Sequence, residues 1–363
     1  MGKLNYYCSS IILTKGDLIM KRNLKKQQVE DIIRGATLLG AGGGGSAKSG
    51  YLMVEEIKNV VVIDPTDVSD GSMVFVVAGM GSPVVLLKEG WRGEEVLALE
   101  KMEEILRKKA DYIVPVEIGG FNSITPLHAG AVKGLPVIDG DGAGRAIPEL
   151  EQTTYNLGGV PVEPICLADS KGNSGILYSK DAKIGEDMAR AITTVFGMTA
   201  GIACYPMTGK QLKETVVPGT LSTAEAAGKA IREAKEAGED VVEAALKAID
   251  GVLLTKGKVA KMTKEVKSGF DYGRIYVGDV IVDYKNENMM AWENNQPLVT
   301  VPDSICWLRL DGEPLTNADI EEGMEVAVIG KKAYPKWIEL NGFKLFKHVL
   351  ESIGYTGGYV PLK

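Results

Sequence analysis

The sequence is poor in the residue types that usually build metal clusters and catalytic relays. It contains only two histidines, His128 and His348, among 363 residues. A zinc site made of several histidines is therefore excluded, and a Ser-His-Asp relay has just two candidates for its base. If the protein is an enzyme, we expect carboxylates to transfer the protons.

Cysteine is also scarce. The four cysteines lie far apart and form no CxxC pair; they are Cys8, Cys166, Cys204 and Cys306. This spacing argues against a disulfide framework and against a cysteine metal cluster. It predicts reduced thiols and a cytoplasmic protein.

Excess positive charge and long apolar runs are lacking as well. Lys and Arg number 41 and Asp and Glu number 48, so the formal net charge is −7, which argues against binding to nucleic acid. No apolar run reaches the roughly 18 residues of a membrane helix, so we expect no contact with a membrane interior. Residues 1–19 lack the pattern of a signal peptide. We expect Met20 to be the native start, or residues 1–19 to be a dispensable extension.

Glycine, in contrast, is abundant, with 44 of 363 residues. This is well above the typical share of about 7%, and much of it follows apolar segments. Three such segments, 73–78, 112–118 and 135–139, alternate with helical patterns. The alternation is typical of βαβ units and predicts an α/β N-terminal domain with three layers and a mostly parallel sheet.

The pattern changes after residue 150, where turn-forming residues follow one another closely up to about residue 180. We therefore divide the chain near Gly175 into domains of residues 24–175 and 176–363. The second domain contains helical patterns, one of them opened by the capping box STAE at 222–225, and becomes β-rich from Lys258 onward. It is predicted to be α+β.

Each of the three apolar segments runs into a glycine-rich loop, GMGSP at 79–83, GGFNS at 119–123 or GDGAGR at 140–145. Because the carboxyl ends of parallel strands share one edge of a sheet, we expect these loops to form one ligand crevice. The polar side chains at this edge are Ser82, Glu117, Asn122, Ser123, Asp139, Asp141, Arg145 and Glu149. The alternative is that Asn122 and the two aspartates only brace turns.

The crevice hypothesis gives these residues roles. Glu117, Asp139 and Asp141 are assigned as general acid and base, and a divalent cation held by the same three carboxylates is left open. The residues expected to contact a substrate are Gly42, Gly43, Ser82, Gly119, Asn122, Arg145, Glu149 and Asp303. Asp303 is included because it interrupts an apolar run, where a buried charge needs a partner.

Two further features have alternative interpretations. The glycines at 40–45 could bind a phosphate with their backbone amides, but they follow a helix and lack the lysine and Ser/Thr of a P-loop. We therefore expect a close-approach loop beside the pocket, with nucleotide binding as a third hypothesis. His128 is expected to be a packed structural histidine more than a base, and His348 a solvated or packed one.

Several motifs together resemble a known family. The sequence GLPVIDGDGAGRAIPEL at 134–150 is similar to S-methyl thiohydantoin desulfurase-like proteins, which are associated with hydantoinase/oxoprolinase enzymes. Matching stretches extend from about residue 24 to the carboxy terminus; they are LGAGGGG (39–45), GMGSP (79–83), VEIGGFNS (116–123), YPMTG (205–209), VPGTLS (217–222) and VPDSI (301–305). One departure is Ala143, where the family usually has a bulkier residue, and this implies a different pocket size.

The resemblance implies two domains and hydrolysis of a five-membered cyclic amide or thio-imide, such as a hydantoin or an S-methyl thiohydantoin. The first hypothesis is therefore a cytoplasmic hydrolase that uses carboxylates as acid and base. The second is a non-catalytic binding or assembly subunit that acts beside a hydantoinase/oxoprolinase-type partner. Self-association into a homo-oligomer is left open.

Overall fold

The computed structural model describes residues 21–267 and 269–363. The predictions on residues 1–19 and on Cys8 lie outside the described residues. The other three cysteines are buried free thiols. No helix in the described ranges has the length and apolar character needed to cross a membrane.

The strands and helices alternate in the first half of the chain and segregate in the second. The strands are β1 (Lys21–Asn23), β2 (Val61–Ile63), β3 (Met73–Gly81), β4 (Tyr112–Pro115), β5 (Val137–Ile138), β6 (Gly140–Asp141), β7 (Ile165–Ala168), β8 (Ser174–Leu177), β9 (Thr199–Thr208), β10 (Val217–Pro218), β11 (Val252–Lys267), β12 (Phe270–Val277), β13 (Val280–Lys285), β14 (Glu287–Glu293), β15 (Gln296–Thr300), β16 (Ser304–Arg309), β17 (Pro314–Leu315) and β18 (Glu325–Lys331). The helices are α1 (Lys26–Leu39), α2 (Ala47–Tyr51), α3 (Pro83–Glu89), α4 (Glu94–Leu106), α5 (Ile124–Lys133), α6 (Thr154–Leu157), α7 (Ala182–Val195), α8 (Gly209–Thr215), α9 (Thr220–Ala237), α10 (Val241–Ile249), α11 (Pro335–Glu339) and α12 (Lys347–Ser352). Two 3-10 turns span Pro65–Asp67 and Gly342–Phe346.

The first sheet has the strand order β1-β2-β5-β4-β3-β9-β7-β8. Its centre, β2-β5-β4-β3, is parallel, and the strands that flank this centre pair antiparallel. The α/β class is therefore confirmed, with the predicted parallel arrangement at the middle of the sheet.

Residues 73–78 of β3 are all apolar because both faces of this strand are buried. Side chains of successive residues point to opposite faces of a strand. Phe75 and Val77 pack with α4 and α5 in one core, and Val74 and Val76 pack with α7 and α8 in another. Helices thus cover both faces of the sheet, which gives the three predicted layers.

The second sheet is antiparallel and has the order β15-β14-β13-β12-β11-β18-β16-β17. It confirms the β-rich carboxy-terminal part. The core that lies below α4 and α5 continues through α1, α9 and α10 to the apolar face of β16 and β18. These three helices therefore connect the two sheets.

The first sheet does not end where the sequence pattern changes. Strand β8 spans residue 175, and β9 lies between β3 and β7 in the same sheet. The turn-rich segment is explained by the antiparallel hairpin of β7 and β8. The division into residues 24–175 and 176–363 stays a prediction about domains, but it is not the limit of the sheet.

Candidate active site

The three strand-end loops meet at Glu117. Asn122 links the first two loops, because its Oδ1 accepts a hydrogen bond from the backbone N–H of Gly79 at 2.9 Å and its Nδ2 donates to Glu117 Oε1 at 2.7 Å. The backbone N–H of Ile147, just beyond the third loop, donates to Glu117 Oε2 at 2.7 Å. The structure thus brings Glu117 and Asn122 together with Gly79, which fits neighbouring parallel strand ends. The carboxylate of Asp139, also expected in this crevice, instead binds Ser222.

The glycine loop at 40–45 packs directly on this arrangement. The carbonyl of Gly44 accepts hydrogen bonds from the N–H groups of Phe121 at 3.0 Å and Asn122 at 3.2 Å. A Cβ on Gly119 would overlap the backbone of Gly44, so the absence of a side chain allows the two loops to touch. The role of Gly119 is therefore close packing of the site's walls.

Gly42 and Gly43 contact the second sheet. The carbonyl of Gly42 accepts from the N–H of Asn317 at 2.8 Å, and a Cβ on Gly43 would overlap the carboxyl of Glu287. The Gly43 N–H itself donates to the carbonyl of Gly40 at 2.9 Å, so it is already used within the loop. This packing does not support the nucleotide hypothesis.

Glu117 is a buried carboxyl that titrates near neutral pH. Burial raises its pKa from 4.5 to about 7, and the nearby charge of Asp141 contributes in the same direction, while the hydrogen bonds from Asn122 and Ile147 act against the increase. A carboxyl with this pKa is present in both protonation states at pH 7. It can therefore accept or donate a proton under ordinary conditions.

Glu287 is a second buried acid, and the sequence analysis did not identify it. It begins β14 and is 4% exposed. Burial and the charge of Glu117 raise its pKa well above 4.5, although Arg145 acts in the opposite direction. Two acids from two different sheets therefore influence each other's protonation.

Asp141 braces the turn that follows it. Its Oδ1 accepts from the N–H groups of Ala143 at 2.5 Å and Gly144 at 2.6 Å, and burial raises its pKa from 3.8 to about 6. The effect of Asp141 on the pKa of Glu117 places it beside the site. Because Oδ1 of Asp141 binds these two N–H groups, the residue has the turn-bracing role that the sequence left as an alternative.

Asp139 caps helix α9. Its Oδ1 accepts from the backbone N–H of Ser222 at 3.0 Å, and its Oδ2 accepts from the Ser222 hydroxyl. Its backbone carbonyl also accepts from the N–H of Gly219 at 2.8 Å. The structure therefore places this carboxylate on the first turn of a helix, with both oxygens engaged.

We expect Asp139→Ala to reduce stability and to spare activity. Loss of the cap should lower the free energy of unfolding by about 1 kcal/mol, because two donors at the start of α9 lose their acceptor. Denaturant unfolding and turnover per folded molecule are the measurements. A catalytic role for Asp139 would instead show as a turnover loss of about 10²-fold or more at unchanged stability.

Arg145 holds the two sheets together. Its guanidinium donates to the carbonyls of Ala146 at 2.9 Å, Asp303 at 2.8 Å and Asn288 at 2.7 Å. Burial lowers its pKa to about 10. With three carbonyls bound, Arg145 fixes the position of β14 relative to the third loop.

Ser82 and Asp303 form hydrogen bonds in other parts of the structure, away from Glu117. The Ser82 hydroxyl caps α3 by accepting from the N–H of Val85 at 3.5 Å, and its own N–H donates to the carbonyl of Met198 at 2.8 Å. Asp303 accepts from the N–H groups of Ala333 at 2.8 Å and Leu362 at 2.6 Å, and from the Tyr359 hydroxyl at 2.7 Å. The structure does not bring either side chain to Glu117.

Glu149 lies in an open cleft. The cleft has a volume of about 340 Å³, which is within the range of about 300–1,000 Å³ of small-molecule sites. Its lining residues are Glu149, Lys183, Asp187, Arg190, Phe270, Tyr272, Lys285, His348 and Ser352. The Phe270 ring lies under two cations, with the Arg190 guanidinium carbon at 4.1 Å and Lys285 Nζ at 4.0 Å from its centroid.

The Glu149 carboxylate is held in its ionised form. Burial alone would raise its pKa, but hydrogen bonds from His348 and Lys285 lower it to about 2. Lys285 Nζ lies 2.8 Å from Oε1 and His348 Nε2 lies 2.6 Å from Oε2. Glu149 therefore supplies a fixed negative charge and is unsuited to proton transfer near neutral pH.

One short segment joins the cleft to Glu117. Within 147–150, the N–H of Ile147 binds Glu117, the carbonyl of Pro148 accepts from Arg190 at 3.0 Å, and Glu149 binds Lys285. Only Asn286 separates Lys285, on the cleft wall, from Glu287. These contacts connect the cleft to the buried acids, although Glu117 and Glu287 are not among the residues that line it.

The described residues contain one group of His, Cys, Asp or Glu donors whose ligand atoms all lie within 4.8 Å of each other. It comprises Glu149, Glu151 and His348. The cation hypothesis on Glu117, Asp139 and Asp141 does not fit this geometry, because those three carboxylates do not form such a group. Asp139 and Asp141 already accept hydrogen bonds from helix and turn N–H groups.

His128 is a packed histidine between two carboxylates. Its Nδ1 lies 2.5 Å from Glu95 Oε1, its Nε2 lies 3.3 Å from Glu56, and the Trp91 indole donates to the other oxygen of Glu95 at 2.5 Å. Burial alone would lower the pKa of His128, but the two carboxylates raise it above 6.5. These contacts fit the structural interpretation of His128.

We expect His128→Gln to lower the free energy of unfolding by about 2 kcal/mol at pH 6, because the buried Glu95 loses a charged partner. Since folding raises the pKa of His128, its stabilisation is complete below 6.5 and is lost as the pH rises through the folded-state pKa. The difference between the variant and the wild type should therefore shrink at higher pH. Urea unfolding across pH 5–9 measures it, and a difference that grows with pH would contradict the ion pair.

Comparisons with known proteins agree with this two-sheet architecture. The family model described as the S-Me-THD-like N-terminal domain matches residues 27–179, and the S-Me-THD-like C-terminal domain matches residues 180–362. No curated protein matches. A crystal structure of a protein from Chromobacterium violaceum superposes with a TM-score of 0.81 at 28% identity, covering 94% of this chain and 100% of that chain. The chain therefore belongs to the S-Me-THD-like family, the S-methyl thiohydantoin desulfurase-like group that its motifs resemble.

Proposed function

We propose that the protein is a hydrolase of five-membered cyclic amides or thio-imides, such as hydantoin or S-methyl thiohydantoin, and that Glu117 transfers the proton. Membership in the S-Me-THD-like family supports the reaction class. The observation that carries the proposal is Glu117 itself, a buried carboxyl with a pKa of about 7 at the meeting point of three strand-end loops.

The chemistry requires a proton acceptor that becomes a donor. In S-methyl thiohydantoin, water attacks the carbon between the two ring nitrogens, and ionised Glu117 takes one proton from that water. The tetrahedral intermediate then expels the sulfur group, which leaves as methanethiol with a proton returned by Glu117, and the proton of the new hydroxyl moves to the ring nitrogen as the carbonyl forms. The products are hydantoin and methanethiol, so atoms and charge balance. General acid–base catalysis of this kind contributes about 10²–10⁴-fold.

The cleft supplies the binding surface in this proposal. The heterocycle would lie in the cleft beside Lys285 and Arg190, which cover the Phe270 ring and provide positive charge where negative charge develops during attack. Glu149 keeps Lys285 in place. The N–H groups of Ala143 and Gly144 are used by Asp141, so the cations of the cleft are the better source of electrostatic stabilisation.

The test is an assay on three substrates. Purified protein is incubated with hydantoin, S-methyl thiohydantoin and 5-oxoproline, each with and without a chelator, while methanethiol and ring-opened products are measured. We expect methanethiol release from S-methyl thiohydantoin. Folded protein that converts none of the three substrates under either condition would refute the hydrolase proposal.

A different observation favours the second candidate, a non-catalytic subunit beside a hydantoinase/oxoprolinase-type partner. Helix α7 exposes apolar side chains along one stripe, with Ile184 at 46%, Met188 at 36% and Val195 at 83% exposure. Exposed apolar patches often mark protein contacts. This role predicts no turnover by the chain alone and turnover that appears when the partner is added, so the same assay separates the two candidates.

A further inference from the structure

Glu287 has features of a reacting group that the proposed function has not used. Its side chain is buried against the glycine loop, where Gly43 leaves room for its carboxyl group. Among the described residues, its Oε2 is a buried oxygen with no hydrogen-bond partner. A buried polar atom without a partner is costly, and such atoms are concentrated at functional sites.

Asn288, the next residue, also has a buried oxygen without a hydrogen-bond partner within the described ranges. Asn288 donates through Nδ2 to the carbonyl of Ile305 at 2.8 Å, whereas its Oδ1 is a second buried acceptor without a partner in the described chain. Arg145 fixes the backbone at this point by binding the carbonyl of Asn288 at 2.7 Å. The start of β14 therefore holds, in a rigid position, two buried polar oxygens without a partner in the part of the chain that the structure describes.

The charge of Glu117 influences whether the Glu287 carboxyl is protonated. Two buried carboxylates that interact cannot both be ionised without a large penalty. Glu117 raises the pKa of Glu287 well above 4.5, in addition to the effect of burial. Burial and the charge of Glu117 therefore favour the protonated form of Glu287.

We propose that Glu287 is the acid partner of Glu117, giving its proton to a ring nitrogen of the substrate while Glu117 takes a proton from the attacking water. This inference rests on the proposed function. The carbon–oxygen bond forms as the ring nitrogen gains the proton. In the second step the carbon–sulfur bond breaks, the new hydroxyl returns a proton to Glu287, and the proton on Glu117 leaves with methanethiol. Both carboxyls thus regain their initial states.

The substrate class follows from this assignment. The ring must carry a basic nitrogen next to the carbon under attack, as the C=N group of an S-alkylated thiohydantoin does. Protonation makes this carbon resemble that of an isothiouronium ion and accelerates the attack of water. A ring that already carries a permanent positive charge on nitrogen would not need Glu287.

The test compares Glu287→Gln with Glu293→Gln, an exposed carboxylate on the same strand. The substrates are S-methyl thiohydantoin and its N,N′-dimethylated, permanently cationic form. We expect Glu287→Gln to lower turnover of the neutral ring by about 10²-fold or more and turnover of the cationic ring less than about 10-fold, with Glu293→Gln unchanged on both. Equal losses on the two rings, or no loss, would overturn the assignment.

A measurement without substrate separates this inference from the proposed function. Infrared difference spectra of the full chain at pH 7 should show a protonated carboxyl band that Glu287→Gln removes and Glu293→Gln retains. An active protein without this band would overturn the role of Glu287 alone. A protein that shows the band but converts no substrate would overturn the hydrolase proposal, and with it the proton transfer assigned to Glu287.

Discussion

Glu117→Gln is expected to lower turnover of S-methyl thiohydantoin about 10³-fold, within the range of general acid–base catalysis. Gln keeps the size of the side chain and can still accept the hydrogen bond from Ile147, while the hydrogen bond from Asn122 is lost, so the fold should persist at reduced stability. It cannot take a proton from water. The measurement is kcat by methanethiol release, and the control is Glu239→Gln, an exposed carboxylate distant in sequence.

Glu117→Gln should also change how the free energy of unfolding depends on pH. Glu117 has a pKa of about 7 in the folded protein against an ordinary value of 4.5. Its contribution to stability is therefore complete below pH 4.5 and is lost as the pH rises through about 7, by roughly 3 kcal/mol in total. Glu117→Gln should lack this part of the slope in unfolding experiments between pH 4.5 and 8, and Glu239→Gln should keep it.

The turnover of Glu117→Gln and the pH dependence of its stability test different parts of the proposal. Full activity in Glu117→Gln would remove the proton-transfer role, even if the slope with pH changes as expected. An unchanged slope would show that Glu117 is ionised in the folded protein, which would leave it without the proton state that the mechanism requires.

The convergence of the strand-end loops could be predicted because it depends on a local rule. Parallel strands deliver their carboxyl ends to the same edge of a sheet, so the loops that begin at Gly79 and Gly119 had to be neighbours. The hydrogen bonds of Asn122 follow from that neighbourhood. The sequence alone therefore located Glu117 within the fold.

Lys285 and Glu287 could not be located in this way, because they come from the second sheet. Their position beside the cleft depends on how β14 packs against the glycine loop, and no periodicity in the sequence encodes that contact. A signal was present nevertheless. The two charges lie on either side of Asn286 within a run that is otherwise largely apolar, 280–292, and a charge there needs a buried partner.

Asp139 shows a different limit of sequence reasoning. A carboxylate after a buried strand has the same appearance in a sequence whether it is a catalyst or a helix cap. The distinguishing partner is Ser222, which lies 83 positions away and becomes a neighbour only when α9 begins beside the sheet edge. Both alternatives were therefore open until the position of α9 was known.

Asp303→Ala is expected to cause the largest loss of stability, about 4 kcal/mol. The Asp303 carboxylate is 1% exposed and accepts hydrogen bonds from the N–H groups of Ala333 and Leu362 and from the Tyr359 hydroxyl. Removing the acceptor leaves the buried Leu362 N–H and two partly buried donors without a partner, and each buried unpaired donor costs about 1–3 kcal/mol. Denaturant unfolding measures the loss, with the exposed Asp279→Ala as a control.

This result also decides between the two roles considered for Asp303. As an anchor of the carboxy-terminal segment, it should affect stability while the folded fraction keeps its KM for S-methyl thiohydantoin. As a substrate contact, which the sequence indicated, it should raise KM at nearly unchanged stability. All three of its hydrogen bonds reach Ala333, Tyr359 or Leu362, in the last part of the chain. We therefore expect Asp303 to anchor the carboxy-terminal segment. A raised KM in a fully stable Asp303→Ala variant would show that this expectation is wrong.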